Sequence, residues 1–278
     1  MRVAVVGHVE WVEFALVERL PRAGEIVHAQ ETFEEAGGGG GVAAVQLARL
    51  AGAADLVTAL GTGPLAERAS AALAGRGVAV HAVERPRAQR RAFTFLDSEG
   101  ERTITVMGDR LVPHGDDRLP WERLRATDGV YFTGGDAAAL RHARAARVLV
   151  ATPRARDAIR GAGVRLDALV HSGSDAGERV QPGELTPEPA LIVTTLGARG
   201  GRWRSAEGQE GAWEPAPLPG PAADAYGAGD TFAAALTYAL AEGRSLDGAL
   251  DLAARCSATC LTGRGPYGAE LPAPPRPV

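Results

Sequence analysis

Short runs of β-branched and other apolar residues alternate along the chain with longer alanine-rich stretches. The runs predict strands and the stretches predict helices, because a buried strand is short and continuously apolar whereas a helix is longer. The predicted strands are residues 3–7, 55–60, 78–83, 129–133, 148–151, 166–171 and 191–195, and predicted helices at 41–51 and 64–76 separate the first three. Strands separated by helices indicate an α/β fold with a parallel sheet covered on both faces.

Residues 25–35 and 90–106 interrupt this alternation. Within the second segment, residues 93–96 and 102–106 flank a turn at 97–100, which is typical of a β-hairpin. From the pattern alone, this is an extra hairpin at the edge of the sheet or a flap over a ligand.

A glycine turn and a carboxylate stand at the start of an apolar helix, in the segment 224–232, which reads DAYGAGDTF. Backbone N–H groups at a helix N-terminus are unpaired, so Gly227, Ala228 and Gly229 can cradle a phosphate. Asp230 would lie beside that phosphate, where a carboxylate serves better as the base for an attacking hydroxyl than as a ligand. The alternative is an ordinary helix cap, in which Asp230 accepts a backbone hydrogen bond.

The same segment resembles the second signature of the PfkB family of carbohydrate kinases. Further motifs follow the family's order along the whole chain: VAVVG at 3–7, PRAGE at 21–25, five glycines at 37–41 and TTLGARGG at 194–201. The resemblance implies one ribokinase-like domain over residues 1–278, a three-layer αβα fold with a mostly parallel central sheet. It also implies a small β-strand lid near residues 10–36 and 90–108, through which two subunits could pair as a homodimer.

The function that the resemblance implies is ATP-dependent phosphorylation of a hydroxyl group on a small molecule, a sugar or sugar derivative, with Mg²⁺ as cofactor. Asp230 resembles the catalytic base, and the amides of Gly227, Ala228 and Gly229 resemble the anion hole. Residues expected on the nucleotide side are Thr195, Gly197, Gly200 and Asp224. Asp224 is expected to organise its loop, near a monovalent cation that takes its other ligands from residues 262–268.

Typical family members carry Asn-x-x-Glu to help place Mg²⁺, but this chain contains no asparagine. The equivalent stretch resembles Ser172 to Asp175, so Asp175 or Glu178 is expected to take the acidic, metal-linked role. A purely structural loop remains an alternative.

The sugar side departs further from the family, with Glu10 and Val12 where an Asn and an Asp are usual, and Val42 at the end of the glycine run. Valine cannot bind a hydroxyl, and a buried hydroxyl without a partner is costly, which argues against ribose as the substrate. The expected substrate contacts are Glu10, Gly38, Gly39 and Gly40. Trp11 could pack on a sugar face or serve only as a packing residue of the lid.

The composition of the chain argues against several classes of partner and mechanism. The 278 residues carry a net charge of -4, which argues against nucleic acid as the main partner. The chain contains no lysine, which excludes a Walker A loop and a pyridoxal Schiff base. Because it opens into a strand without a signal peptide and lacks a long apolar run, we expect a cytoplasmic protein without membrane contact.

Two cysteines, Cys256 and Cys260, lie four residues apart in a predicted helix and are expected to be reduced core residues. Of the six histidines, His8 and His171 lie near candidate site segments. The alternatives left open are a nucleoside kinase and a catalytically weakened relative that binds ligands or regulates. The acceptor, the oligomeric state and cation dependence do not follow from these residues.

Overall fold

In the computed structural model, which describes residues 1–98, 100–181 and 183–272, nine strands form a central sheet. They are β1 (Val3–Val6), β4 (Ala54–Thr62), β5 (Val78–Ala88), β8 (Gly129–Phe132), β9 (Val148–Ala151), β10 (Ala168–Ser172), β11 (Leu191–Thr195), β12 (Gly201–Ser205) and β13 (Glu210–Trp213). Seven neighbouring strands are parallel, in the order β11, β10, β9, β8, β1, β4, β5, and β12 and β13 extend the sheet antiparallel beyond β11.

Helices cover both faces of this sheet. They are α1 (Gly38–Ala51), α2 (Pro64–Ala74), α3 (Ala137–Ala143), α4 (Arg156–Ala162), α5 (Ala228–Glu242) and α6 (Leu246–Cys260). Alternate residues of a strand point to opposite faces, so Val3 and Val5 join the core under α1, α2, α5 and α6, whereas Ala4 and Val6 join the core under α3 and α4. The predicted three-layer fold with a mostly parallel sheet is confirmed.

Two element boundaries differ from the sequence prediction for identifiable reasons. Strand β5 continues to Ala88, past the predicted end at residue 83, because an edge strand can expose the polar segment ERPRA that ends the apolar run. Helix α1 begins at Gly38, within the glycine run, because the chain must pass close to the end of β1. A Cβ atom added at Gly40 would lie 2.6 Å from the backbone oxygen of His8 and 2.8 Å from the carbonyl carbon of Gly7.

A second sheet of four strands has the order β3, β2, β6, β7 and is formed by β2 (Glu10–Leu16), β3 (Glu31–Gly37), β6 (Arg91–Leu96) and β7 (Arg102–Met107). We call it the lid sheet. The predicted hairpin is confirmed as β6 and β7, although Glu99 of its turn lies outside the described residues. Strands β2 and β3 both lie in the first lid segment, expected near residues 10–36, although the apolar pattern alone did not predict β2.

Aromatic packing joins the lid sheet to the segment before α5. Phe14 stacks on Phe33 with ring centroids 4.4 Å apart and meets the edge of Tyr226 at 5.1 Å. The Tyr226 hydroxyl accepts a hydrogen bond from the backbone N–H of Gly38 at 3.2 Å. Trp11 is buried under the guanidinium group of Arg68, which favours the packing role over contact with a sugar.

The two cysteines, Cys256 and Cys260, are buried free thiols of α6, as predicted. Within the described part of the chain, no helix is both long and apolar enough to cross a bilayer.

Replacement of Gly40 by Ala is expected to destabilise the protein. The added methyl group would overlap backbone atoms of Gly7 and His8, which cannot rotate away as a side chain can. Overpacking of this kind costs about 1–3 kcal/mol of unfolding free energy, which urea denaturation would measure. Gly229→Ala is the matched control, because Gly229 also lies in the first turn of a helix but a Cβ there meets nothing within 4 Å. Equal stability of the two variants would contradict the close approach.

Candidate active site

Two cavities open where the parallel strands end, and they share a wall. The larger cavity has a volume of about 820 Å³ and the smaller cavity about 730 Å³. Loops after parallel strands meet at one edge of a sheet, and the loops after β9, β10 and β11 contribute to the larger cavity while those after β1, β8 and β9 contribute to the smaller one. The residues that line both cavities are Arg102, Arg154, Asp175, Glu178, Gly227 and Asp230.

The larger cavity is lined by three of the four residues expected on the nucleotide side. Thr195, Gly197 and Gly200 line it from the end of β11, and the first turn of α5 lines it from the other side. A Cβ atom at Gly197 or Gly229 would meet nothing within 4 Å, so the backbone is open there. An anion can therefore approach the amides at the start of α5 without obstruction.

Gly227 is the N-cap of α5, and its φ of +81° lies in the left-handed region that favours glycine. An added Cβ would also lie 2.8 Å from the Cβ of Pro266. The turn that aims the first amides of α5 at the cavity therefore needs glycine for both conformation and space.

Asp230 is the third residue of α5 and lines both cavities. Its carboxylate does not cap the helix, so the ordinary cap interpretation is wrong. Burial raises its pKa to about 6, while the positive charge of Arg154 acts in the opposite direction and the negative charge of Glu178 reinforces the rise. A carboxylate of this pKa is ionised at neutral pH and can accept a proton.

Asp175 and Glu178 hold Arg154 on the shared wall. Arg154 donates from Nη2 to Oδ2 of Asp175 at 2.9 Å, and its Nε lies 2.6 Å from Oε1 of Glu178. The other oxygen of Glu178 accepts the backbone N–H of Ser172 at 2.8 Å. Among the described residues, no three His, Cys, Asp or Glu side chains converge to form a metal site of their own. The donor set still fits Mg²⁺ that enters with a nucleotide, since such Mg²⁺ takes one or two carboxylates and fills its shell with phosphates and water.

The smaller cavity contains most of the expected substrate contacts. Glu10, Gly38 and Gly39 line it, whereas Gly40 does not and instead packs on the backbone of His8. A Cβ at Gly39 would lie 3.1 Å from Oδ1 of Asp230. The backbone of the glycine run therefore passes directly beside that carboxylate, at a distance that a larger residue would crowd.

The Glu10 carboxylate is engaged by neighbouring side chains. Oε1 accepts a hydrogen bond from Nε of Arg90 at 2.5 Å and lies 3.4 Å from Nε2 of His8. Burial lowers the pKa of His8 to about 4, against the opposing effect of its hydrogen bond with Glu10. His8 is therefore neutral at pH 7.

Two valines expected in the sugar pocket lie elsewhere. Val12 and Val42 are fully buried in the core and line neither cavity, so they neither bind nor reject a substrate directly. Val42 packs beside the Gly227 turn, where an added Cβ at Gly227 would approach it to 3.1 Å.

Sequence reasoning missed the five arginines that line the smaller cavity, which are Arg90, Arg102, Arg110, Arg154 and Arg156. A chain without lysine must supply every fixed positive side chain as arginine, but the sequence contains 30 arginines and gave no means of selecting these five.

Asp224 is buried behind the larger cavity rather than in its lining. Its two oxygens accept backbone N–H groups from Tyr226 at 2.7 Å and Gly265 at 2.9 Å. Asp224 therefore fixes the loop before α5 to the segment 262–268, as expected for an organising residue.

Comparison with known proteins places the chain among kinases. The model of the pfkB family carbohydrate kinases matches residues 1–159 and 172–274. A search of curated proteins found no match. The fold is similar to that of ribokinase from Thermotoga maritima, with a TM-score of 0.76 and 19% identity over 98% of this chain and 96% of the other.

Two structures with bound ligands are also similar. Arabidopsis thaliana ribokinase complexed with ribose and ATP has a TM-score of 0.74 and 22% identity over 95% of this chain and 93% of that protein. Phosphofructokinase-2 from Escherichia coli in complex with substrates and products has a TM-score of 0.74 and 18% identity over 98% and 95%.

Replacement of Asp230 by Asn is expected to stabilise the folded protein above neutral pH. The pKa of about 6 in the folded state exceeds the ordinary aspartate value, so folding favours the protonated form, and the ionised carboxylate costs free energy. We expect Asp230→Asn to raise the unfolding free energy by about 1–2 kcal/mol at pH 8, a gain that shrinks as the pH falls from about 6 to about 4.

Urea unfolding at several pH values would measure this difference, with Asp116→Asn at an exposed carboxylate as the control. A gain that is independent of pH, or a loss of stability at pH 8, would contradict the raised pKa.

Proposed function

Because the chain belongs to the pfkB family of carbohydrate kinases, we propose that it transfers the γ-phosphoryl group of ATP to a hydroxyl group of a small sugar-like molecule. The observation that carries this proposal is the position of Asp230 on the wall shared by two cavities. A kinase needs one site for the phosphoryl donor and one for the acceptor, with a base where they meet.

ATP is assigned to the larger cavity. Its volume of about 820 Å³ is within the range of small-molecule sites. Thr195, Gly197 and Gly200 would contact the nucleotide, and the amides of Gly227, Ala228 and Gly229 would bind the phosphoryl oxygens. The similar Arabidopsis ribokinase was solved with ribose and ATP, which supports two adjoining sites in this fold.

Asp230 is assigned the role of general base. The acceptor hydroxyl gives its proton to the carboxylate as its oxygen bonds to the γ-phosphorus, and the bond from that phosphorus to the bridging oxygen of ADP breaks. Negative charge spreads over the transferring group, where the amides at the start of α5 and the guanidinium group of Arg154 stabilise it.

Mg²⁺ is proposed as the metal that accompanies ATP, and when bound it would neutralise phosphate charge. Asp175 and Glu178 would hold it, through water where direct contact is lacking. Asp175 is the more accessible of the two, with 40% of its side chain exposed against 11% for Glu178. A monovalent cation near Asp224 and a cytoplasmic location stay predictions from the sequence.

Two alternatives receive different support. Arg154 forms ion pairs with both Asp175 and Glu178. If these ion pairs persist when Mg-ATP is present, the two carboxylates are not free to bind the metal, and a catalytically weakened relative is favoured. A nucleoside acceptor gains less support, because Tyr226 is the one aromatic residue among the described residues that line the smaller cavity. A nucleobase usually stacks on aromatic rings, so a sugar-like acceptor remains the first choice.

We further propose that two copies pair through the lid sheet. Strand β7 is an edge strand of that sheet, and it exposes Ile104 and Val106 at 40% and 45%. An edge with unpaired backbone groups and apolar side chains is a natural surface for association.

Replacement of Ile104 by Glu is expected to convert the dimer into a monomer, because a charge on each facing edge would repel its partner and resist burial. Sedimentation velocity of the wild type and the variant would measure this. A wild type that is monomeric at about 100 µM, well above the dissociation constant of a stable dimer, would contradict the proposal.

Replacement of Asp230 by Asn is expected to lower turnover by about 10²- to 10⁴-fold, the usual contribution of a positioned base. ADP release from Mg-ATP across a panel of sugars, sugar phosphates and nucleosides would measure it. In the wild type, kcat/KM should fall as the pH drops through about 6, because the base becomes protonated there.

ATP binding followed by thermal shift should be nearly unchanged in Asp230→Asn, and Asp116→Asn serves as the control for both assays. Unchanged turnover in Asp230→Asn would contradict the role of base. If ATP binds but no acceptor stimulates ADP release, the ligand-binding relative becomes the better explanation.

A further inference from the structure

We propose that the acceptor carries an anionic group, a phosphate or a carboxylate, which Arg110 and Arg90 bind in the smaller cavity. The inference rests on the proposed kinase function, in which a hydroxyl group of the acceptor reacts at Asp230. The anionic group is a second group on the same acceptor, and its binding determines which acceptor is selected.

Arg110 is a positive charge without a carboxylate partner. Its Nη2 donates to the carbonyl oxygen of Thr133 at 2.6 Å and lies 3.0 Å from Nδ1 of His8, and its Nη1 donates to the carbonyl oxygen of Arg154 at 3.0 Å. Its Nε is buried without a hydrogen-bond partner. Within the described part of the chain, no carboxylate oxygen forms an ion pair with it within 4.0 Å.

Neighbouring charges make this position unfavourable for a guanidinium group in the absence of an anion. Burial lowers the pKa of Arg110, and repulsion by Arg90 and Arg154 lowers it further, while Glu10 and Tyr131 act in the opposite direction. Arginine remains charged in spite of such shifts. A partly buried charge that lacks a carboxylate partner is costly, so an anion bound here would gain more than at a fully exposed arginine.

Among the described residues that line the cavity, no carboxylate forms an ion pair with Arg110. The Glu10 carboxylate is engaged by Arg90, and His8, which separates Glu10 from Arg110, is neutral at pH 7. Arg110 and Arg90 together therefore leave one positive charge in excess of Glu10.

The other three arginines of the lining have partners of their own. Arg154 pairs with Asp175 and Glu178, Arg156 pairs with Glu184, and Arg102 donates a hydrogen bond to the carbonyl oxygen of Ala225.

The excess charge lies a short distance from Asp230. Gly39 lies between them: a Cβ atom added there would lie 3.5 Å from Cε1 of His8, whose Nδ1 contacts Arg110, and 3.1 Å from Oδ1 of Asp230. Arg110 and Asp230 line the same cavity, so a small molecule bound there can place a hydroxyl at Asp230 and an anionic group at Arg110. The planar fork of a guanidinium group suits both phosphate and carboxylate oxygens.

The test compares pairs of acceptors in which one member carries an anionic group that the other lacks. The phosphate pairs are D-ribose 5-phosphate with D-ribose and D-fructose 6-phosphate with D-fructose, and the carboxylate pair is D-gluconate with D-glucitol. Isothermal titration measures binding to the full chain, and ADP release from Mg-ATP measures turnover. We expect the anionic member of at least one pair to bind at least about 10-fold more tightly than its neutral partner.

Arg110→Gln is expected to weaken binding of that anion by about 10- to 100-fold and to leave binding of the neutral partner and the KM for ATP unchanged. Arg110→Lys should recover part of the loss, because it keeps the charge but not the fork. Arg141→Gln, at an exposed arginine of α3 outside both cavities, is the matched control and should behave as the wild type.

Failure of the inference and failure of the proposed function give different results. If no anionic member binds more tightly than its neutral partner to the wild type, the inference is overturned, whatever the variants do. A neutral sugar that supports turnover in that case leaves the kinase function intact. An anion that binds through Arg110 without any ADP release supports the anion site and contradicts the kinase function.

Discussion

The close passage of the chain between β1 and α1 is the constraint on which the rest of the site depends. Gly7 and Gly40 let the end of the first strand and the start of the first helix touch backbone to backbone. That contact sets the position of Gly38 and Gly39, and it holds the Gly39 backbone beside the Asp230 carboxylate. Because backbone atoms cannot change rotamer, the distance between the glycine run, which lines the smaller cavity, and Asp230 is set by main-chain geometry rather than by adjustable side chains.

The local parts of the fold were accessible from the sequence. Strands such as β9 and β11, which are short and continuously apolar, were predicted with their observed ends, and the glycine turn at Gly227 was placed correctly at the start of α5. These features depend on neighbours in the chain. Strand β2 was missed because Glu10 and Glu13 interrupt its apolar pattern, and both glutamates are accommodated by arginines from a distant segment.

The parts of the site that were not predicted all depend on long-range pairing. Whether Glu10 is free to bind a hydroxyl is decided by Arg90, 80 positions away. Whether Asp175 is free to meet a metal is decided by Arg154, 21 positions away. The assignment of Val12 and Val42 to a sugar pocket failed for a second reason. The position of a residue in a motif does not reveal whether its side chain faces a cavity or the core, and both valines face the core.

The lid sheet is tied to the segment before α5 at two points. Tyr226 packs against Phe14 of β2, and Arg102 of β7 donates a hydrogen bond to the carbonyl oxygen of Ala225. The lid sheet and the turn before α5 are therefore mechanically coupled. A displacement of the lid sheet would also move the turn that orients the first amides of α5, so coverage of the cavities and the orientation of those amides would change together.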